Sequence, residues 1–141
     1  MTLTRRNFEE LGLPAGPYTH AVTHGSTLYT SGLTAFGTRA QTGTAGEQTG
    51  SVLDQFEFIA EKHSASLQDL VKVTIFATDP VDIPAIRETL EARYEDNVPA
   101  SSLVLISELF DPDLRVEMEA IFALRSKQAE IQHRVENETA S

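Results

Sequence analysis

The run from Leu70 to Ala77, Leu-Val-Lys-Val-Thr-Ile-Phe-Ala, limits the possible folds of this chain more than any other stretch. Val71, Val73, Thr74 and Ile75 are β-branched, which stiffens χ1 and suits the packed surface of a sheet. The run reads as a buried strand, with helical periodicity on both sides. Val52, Phe56, Ile59 and His63 recur at i, i+4, i+7 and i+11, one face of a helix whose start falls near Gly50 or Ser51. Beyond the strand, Asp79 or Asp82 can cap a second helix that tolerates Pro84 in its first turn. Its core stripe is Ile83, Ile86, Leu90 and Tyr94, and Asp96-Asn97 ends it.

Before the first helix, Pro14-Ala15-Gly16-Pro17-Tyr18 is a rigid turn segment. Thr19 to His24 and Thr27 to Ser31 flank the turn Gly25-Ser26 and read as a hairpin. Leu33 to Phe36 continues the sheet, and Gly37 to Gly50 reads as a loop. After the second helix come Pro99 to Ile106 and Val116 to Ile121, joined through Asp111-Pro112-Asp113. Ser101 and Ser102 head the first run, and Glu117 and Glu119 lie in the second. The pair is either a reaction site with hydroxyls and a carboxylate or an ordinary hairpin with a wet face.

The order β-β-(β)-α-β-α-β-β, with two helices on one face of a mixed sheet, is an α+β arrangement. The other sheet face is mixed. It carries Lys72, Thr74, Phe76 and Thr78 from one strand and Arg115, Glu117, Glu119, Ile121 and Ala123 from another. A half-apolar face on a small domain marks an oligomer interface.

A length of 141 residues suits one domain, here residues 1–124, with 125–141 as a C-terminal extension. Ala129, Ile131 and Val135 give that extension a thin apolar stripe, suited to a helix against a neighbour and a role in assembly. The chain has no cysteine, which excludes thiolate chemistry and fits a reducing cytoplasm. No apolar run approaches the ~18 residues of a membrane span, and the first residues lack a signal core. The net charge of −10 repels phosphate backbones, so no nucleic-acid partner is expected. His20, His24, His63 and His133 are scattered without metal-ligand spacing. Ser31 has no His-Asp pair, and Gly43 to Gly50 lacks the lysine of a phosphate loop.

Several segments in order carry a resemblance: Gly16-Pro17-Tyr18-Thr19-His20-Ala21-Val22, Tyr29-Thr30-Ser31-Gly32, the run Asp69 to Asp79, Pro99-Ala100-Ser101-Ser102, and Val116 to Ile121. Together they resemble the RidA family, also called YjgF or the reactive-intermediate deaminases, over residues 14–124. The resemblance implies a chorismate-mutase-type α+β fold and a homotrimer with clefts between subunits. It also implies no metal and no organic cofactor. Characterised members of the family hydrolyse imines, the tautomers of enamines, to a keto acid and ammonia. Tyr18, Ser31 and Gly32 match the family's substrate-binding positions, and Glu117 matches the glutamate that holds ligand and water.

Position 101 departs. The family pattern places there an arginine that clamps the substrate carboxylate bidentately, and this chain has Ser101. Arg87 and Arg115 are the nearest candidates to supply another cation. Each residue also has a plain structural reading: a strand carboxylate for Glu117, a turn aromatic for Tyr18, exposed strand-start hydroxyls for Ser101 and Ser102. Two functions follow. One is a cofactor-free imine or enamine deaminase with an atypical substrate. The other is a non-catalytic trimer that binds a small metabolite or a partner protein. Ribonuclease activity, attached to some relatives, is opposed by the acidic charge.

Overall fold

The computed structural model describes residues 2–125. The strands are β1 (Leu3–Arg6), β2 (Ala21–His24), β3 (Thr27–Thr30), β4 (Leu70–Ala77), β5 (Ala100–Leu105) and β6 (Val116–Ala123). The helices are α1 (Ala45–Glu61) and α2 (Ile83–Tyr94). One six-stranded sheet runs in the order β1-β2-β3-β6-β4-β5. All neighbours are antiparallel except β4 and β5, which are parallel and connected through α2.

β4 has the bounds its β-branched run predicts, with one difference in pattern. A bulge between Leu70 and Lys72 against β6 turns Val71 outward, 48% exposed, and Leu70 inward. From Val73 on, the alternation holds. Val73, Ile75 and Ala77 join Val116, Met118, Ala120 and Phe122 beneath the helices. From α1 come Val52, Leu53, Phe56 and Ile59, and from α2 come Ile86, Leu90 and Tyr94. Phe56 meets Phe122 edge to face, with centroids 6.3 Å apart. Such a buried aromatic contributes ~3–5 kcal/mol against truncation to alanine. Tyr94 Oη is the one buried side-chain polar atom without a partner among the described residues, and burial pushes its pKa up to about 12.

Four expectations are corrected. Helix α1 starts earlier than Gly50, because Thr44 and Glu47 form a reciprocal capping box. Gly46 and Gly50, read as loop residues, are helical and face Thr89 of α2. Leu33 to Phe36 does not continue as a strand: Leu33 makes a single bridge to Met118 and the chain then turns away. The runs at 100–105 and 116–123 are not a hairpin, since β4 lies between them. β1, an exposed edge strand, was not foreseen. The extension at 125–141 lies, beyond Arg125, outside the described residues.

Candidate functional site

The site is built on a local irregularity where β3 meets β6. Tyr29 pairs with Ile121, and Leu33 bridges Met118. Thr30, Ser31 and Gly32 therefore span the same interval as Glu119 and Ala120, one residue more than the ladder can pair. The extra residue bulges out, and the Thr30 hydroxyl accepts from the Ala120 N–H (3.0 Å) in place of a ladder bond. Ser31 is fixed by two bonds to the preceding turn: its N–H donates to His20 O (3.0 Å) and its hydroxyl donates to Thr19 O. The Ser31 oxygen is left with acceptor capacity only.

Gly32 makes room for Glu117. A Cβ at position 32 would lie 2.7 Å from Glu117 Oε2 and 3.0 Å from Cδ. The glycine is needed for space rather than for its backbone angles, since its φ is not positive. Glu117 is half-buried on the sheet face away from the helices, paired with Phe76. Burial raises its carboxyl pKa first, and the Glu119 carboxylate on the same face raises it further.

These groups open onto a cavity of about 590 Å³. Tyr18, Ser31, Gly32 and Glu117 all line it, so four of the six expected site residues come together. The Tyr18 hydroxyl accepts from the Ala15 N–H (3.1 Å), which leaves its own proton free to donate. An apolar side of the cavity carries Leu13, Phe36 and Phe110, with Phe36 and Phe110 in edge contact at 5.2 Å. Sequence reasoning did not assign His20 or Gln55, which also line the cavity. Gln55 comes from α1, and its amide donates to Thr34 O (2.8 Å). Nothing in local spacing marks either residue; His20 stands two positions after Tyr18, just past the turn segment.

Ser101 and Ser102 lie elsewhere, on the edge strand β5, and neither lines this cavity. Ser102 pairs with Thr74 and accepts from Lys72 Nζ at 2.8 Å. Lys72, not Arg87 or Arg115, is thus the cation beside the serine pair. Arg115 is held by Asp82 in a bidentate pair, Nε–Oδ2 2.8 Å and Nη2–Oδ1 3.0 Å, beside a different cavity. Arg87 is exposed on α2 and lines neither cavity. Glu117 is the only charged side chain on the Tyr18 cavity among the described residues. No group of three His, Asp or Glu residues is placed to hold a metal among them, and no helix is long and apolar enough to cross a membrane.

A sequence model of the family described as Endoribonuclease L-PSP matches residues 10–124. The chain is 32% identical over 114 residues to a 2-iminobutanoate/2-iminopropanoate deaminase of Dermatophagoides farinae, covering 79% of this chain and 88% of that one. It is 30% identical over 115 residues to the protein of the same name in Escherichia coli, covering 78% and 89%. The crystal structure of RidA from the Antarctic bacterium Psychrobacter sp. superposes with a TM-score of 0.73 at 28% identity, covering 79% of this chain and 92% of that one.

Proposed function

The chain belongs to the RidA/YjgF family, and from that membership we propose that it hydrolyses a reactive imine to a carbonyl compound and ammonia. The reaction uses no cofactor, and the cysteine-free chain suits a reducing, cytoplasmic setting. One observation carries the reading. Tyr18, Ser31, Gly32 and Glu117, from separate parts of the chain, meet on one cavity with the Glu117 carboxyl pKa raised by burial.

The chemistry asks for few groups. Water attacks the imine carbon, a C–O bond forms, and the C=N electron pair passes to nitrogen, which takes a proton. The carbinolamine nitrogen then takes a second proton as the hydroxyl gives one up, the C–N bond breaks and ammonia leaves. A carboxyl whose pKa is raised by burial is better matched than an ordinary one to exchange protons with both water and nitrogen. Ser31, acceptor only, can receive a bond from the imine or carbinolamine N–H.

The substrate differs from the small α-imino acids. Those carry a carboxylate, and Ser101 supplies no guanidinium for it. Lys72 near Ser102 is a point charge and cannot make the bidentate clamp. In the proposed homotrimer the β5 serines of one subunit would face the cavity of the next and offer hydroxyls to an uncharged group. A charge-assisted bond is worth ~1.5–3 kcal/mol and a neutral one ~1 kcal/mol, so position 101 sets the substrate class.

The test is ammonia release from 2-aminoacrylate generated in situ, for the native chain and for Ser101→Arg. The native chain should be slow and the variant faster. Rapid native turnover would overturn the role given to position 101. Loss of all turnover in Glu117→Gln is expected with any imine that is a substrate. Failure on a broad imine panel, with a metabolite still bound, would favour the non-catalytic reading.

A further inference from the structure

The mechanism above leaves one cavity residue unused. His20 is 4% exposed and its surroundings fix it on several sides. The Phe8 N–H donates to Nδ1 at 3.0 Å, so that nitrogen carries a lone pair and a neutral ring has its proton on Nε2. The His20 backbone N–H donates to Asn7 Oδ1 (3.0 Å), and its carbonyl accepts from Ser31. The ring stacks on Phe8, centroids 6.2 Å apart and planes 17° apart. Burial also lowers its pKa, which keeps it neutral.

The other ring nitrogen, Nε2, has no partner among the described residues, yet it is not sealed. Tyr94 Oη is the one buried, unpartnered side-chain atom among them, and His20 is part of the cavity wall. His20 thus brings to the cavity wall a rigid, uncharged ring whose Nε2–H is neither paired nor sealed among the described residues. Besides the Tyr18 and Thr34 hydroxyls, each of which accepts a backbone N–H and keeps a proton to donate, the wall offers acceptors. The Ser31 hydroxyl has given its proton to Thr19 O, the Gln55 amide nitrogen is engaged by Thr34 O, and Glu117 is a carboxyl.

We infer that His20 binds the substrate through Nε2–H, and that the atom it binds is an uncharged carbonyl oxygen next to the imine, as in an imino amide. The argument rests on the cavity being the deaminase site. A carboxylate in that place would share the cavity with Glu117 and meet no cation of the chain's own wall. A carbonyl oxygen needs only a dipole, which a neutral imidazole supplies. The substrate's N–H groups then face the acceptors Ser31 and Gln55. Leu13, Phe36 and Phe110 leave space for an apolar substituent.

The probes are phenylpyruvate and its primary amide, the carbonyl products of the corresponding imino acid and imino amide. Nitrogen-15 NMR on histidine-labelled protein should show His20 as the Nε2–H tautomer, and the amide should move its Nε2 signal more than the acid does. Affinity for the amide should exceed that for the acid by about tenfold, because the acid's carboxylate shares the cavity with Glu117 and meets no cation on the wall. His20→Phe should weaken binding of the amide about tenfold, the scale of one well-placed hydrogen bond. His20→Gln should retain most of the amide affinity, since its oxygen can accept from the Phe8 N–H while its amide donates to the cavity. With a turned-over imino amide, His20→Phe should raise KM about tenfold with kcat nearly unchanged. A His20 proton on Nδ1, equal binding of the two probes, or unchanged amide affinity in His20→Phe would each overturn the inference. These outcomes are independent of the activity itself. An enzyme that releases ammonia through Glu117 without preferring the amide sinks the His20 assignment alone. A chain that turns over no imine but shows the tautomer and the preference sinks the deaminase reading alone.

Discussion

Gly32 and Glu117 act as a matched pair, and the match yields two predictions. A methyl group at position 32 would sit 2.7 Å from Glu117 Oε2, so Gly32→Ala must displace the carboxyl. The displaced atoms are the end of a flexible chain, which can swing aside without disturbing the core. The variant should lose about ten- to a hundredfold in kcat, while its Tm moves by less than about 3 °C. Steady-state kinetics beside a thermal melt check this; a large fall in Tm with normal kcat would contradict it. Glu117 itself carries a pH signature. Its folded pKa is raised, so the fold favours the protonated form. That stabilisation is present below the unfolded carboxyl pKa and is lost as pH rises through the folded value. Glu117→Gln mimics the protonated group and should raise Tm at neutral pH while abolishing turnover. Glu119→Gln removes the second cause of the shift and leaves burial, the larger one. The acidic limb of kcat/KM should therefore move to lower pH without reaching the ordinary carboxylate range. An unmoved limb would mean that Glu117 is not the titrating group.

At the scale of elements, the helix α1 start shows what sequence could and could not tell. Gly46 and Gly50 weaken a helical pattern, so the loop reading extended to Gly50. The glycines serve packing: a Cβ at Gly46 would lie 3.3 Å from Thr89 Oγ1, so their absence lets α2 come close. That cause is tertiary and invisible along the chain. The Thr44–Glu47 box was local and readable, and Thr44→Ala should cost ~1 kcal/mol in a denaturant titration. β4 was legible because its β-branched residues and its burial agree. β1 was not, because all its residues are exposed and leave no alternation. The site divides the same way. Tyr18, Ser31, Gly32 and Glu117 were named through resemblance to a family, and no spacing rule would have joined them. The bulge that brings them together arises from a pairing mismatch between β3 and β6, elements far apart in sequence. His20 was weighed only as a metal ligand, because its role lies in the Phe8 N–H, which only the folded chain places against Nδ1.

Among the described residues, one face of the sheet has nothing packed on it. The helices cover one side of the sheet, and the other presents Val22, Tyr29, Thr74, Phe76, Glu119 and Ile121 between exposed and half-buried. Tyr29 and Ile121 stand directly opposite each other across β3 and β6. Aromatic and aliphatic surface in such a row loses less free energy covered than wet, at roughly 25 cal/mol per Å² buried. A second copy is the occupant that closed symmetry favours, and the proposed homotrimer would also bring a neighbour's Ser101 and Ser102 toward the cavity. Light scattering should give three times the chain mass. Ile121→Asp places a second acidic group beside Glu119 on the same face, where like charges repel across every symmetry-related contact. The variant should dissociate, keep its far-UV circular dichroism because position 121 lies outside the helix-covered core, and lose turnover if the cleft is shared. A native chain that scatters as a monomer would remove the shared cleft and leave position 101 without a route to the substrate. A monomeric variant that stays fully active would place all the chemistry on one subunit, with His20, Ser31 and Glu117 sufficient for it.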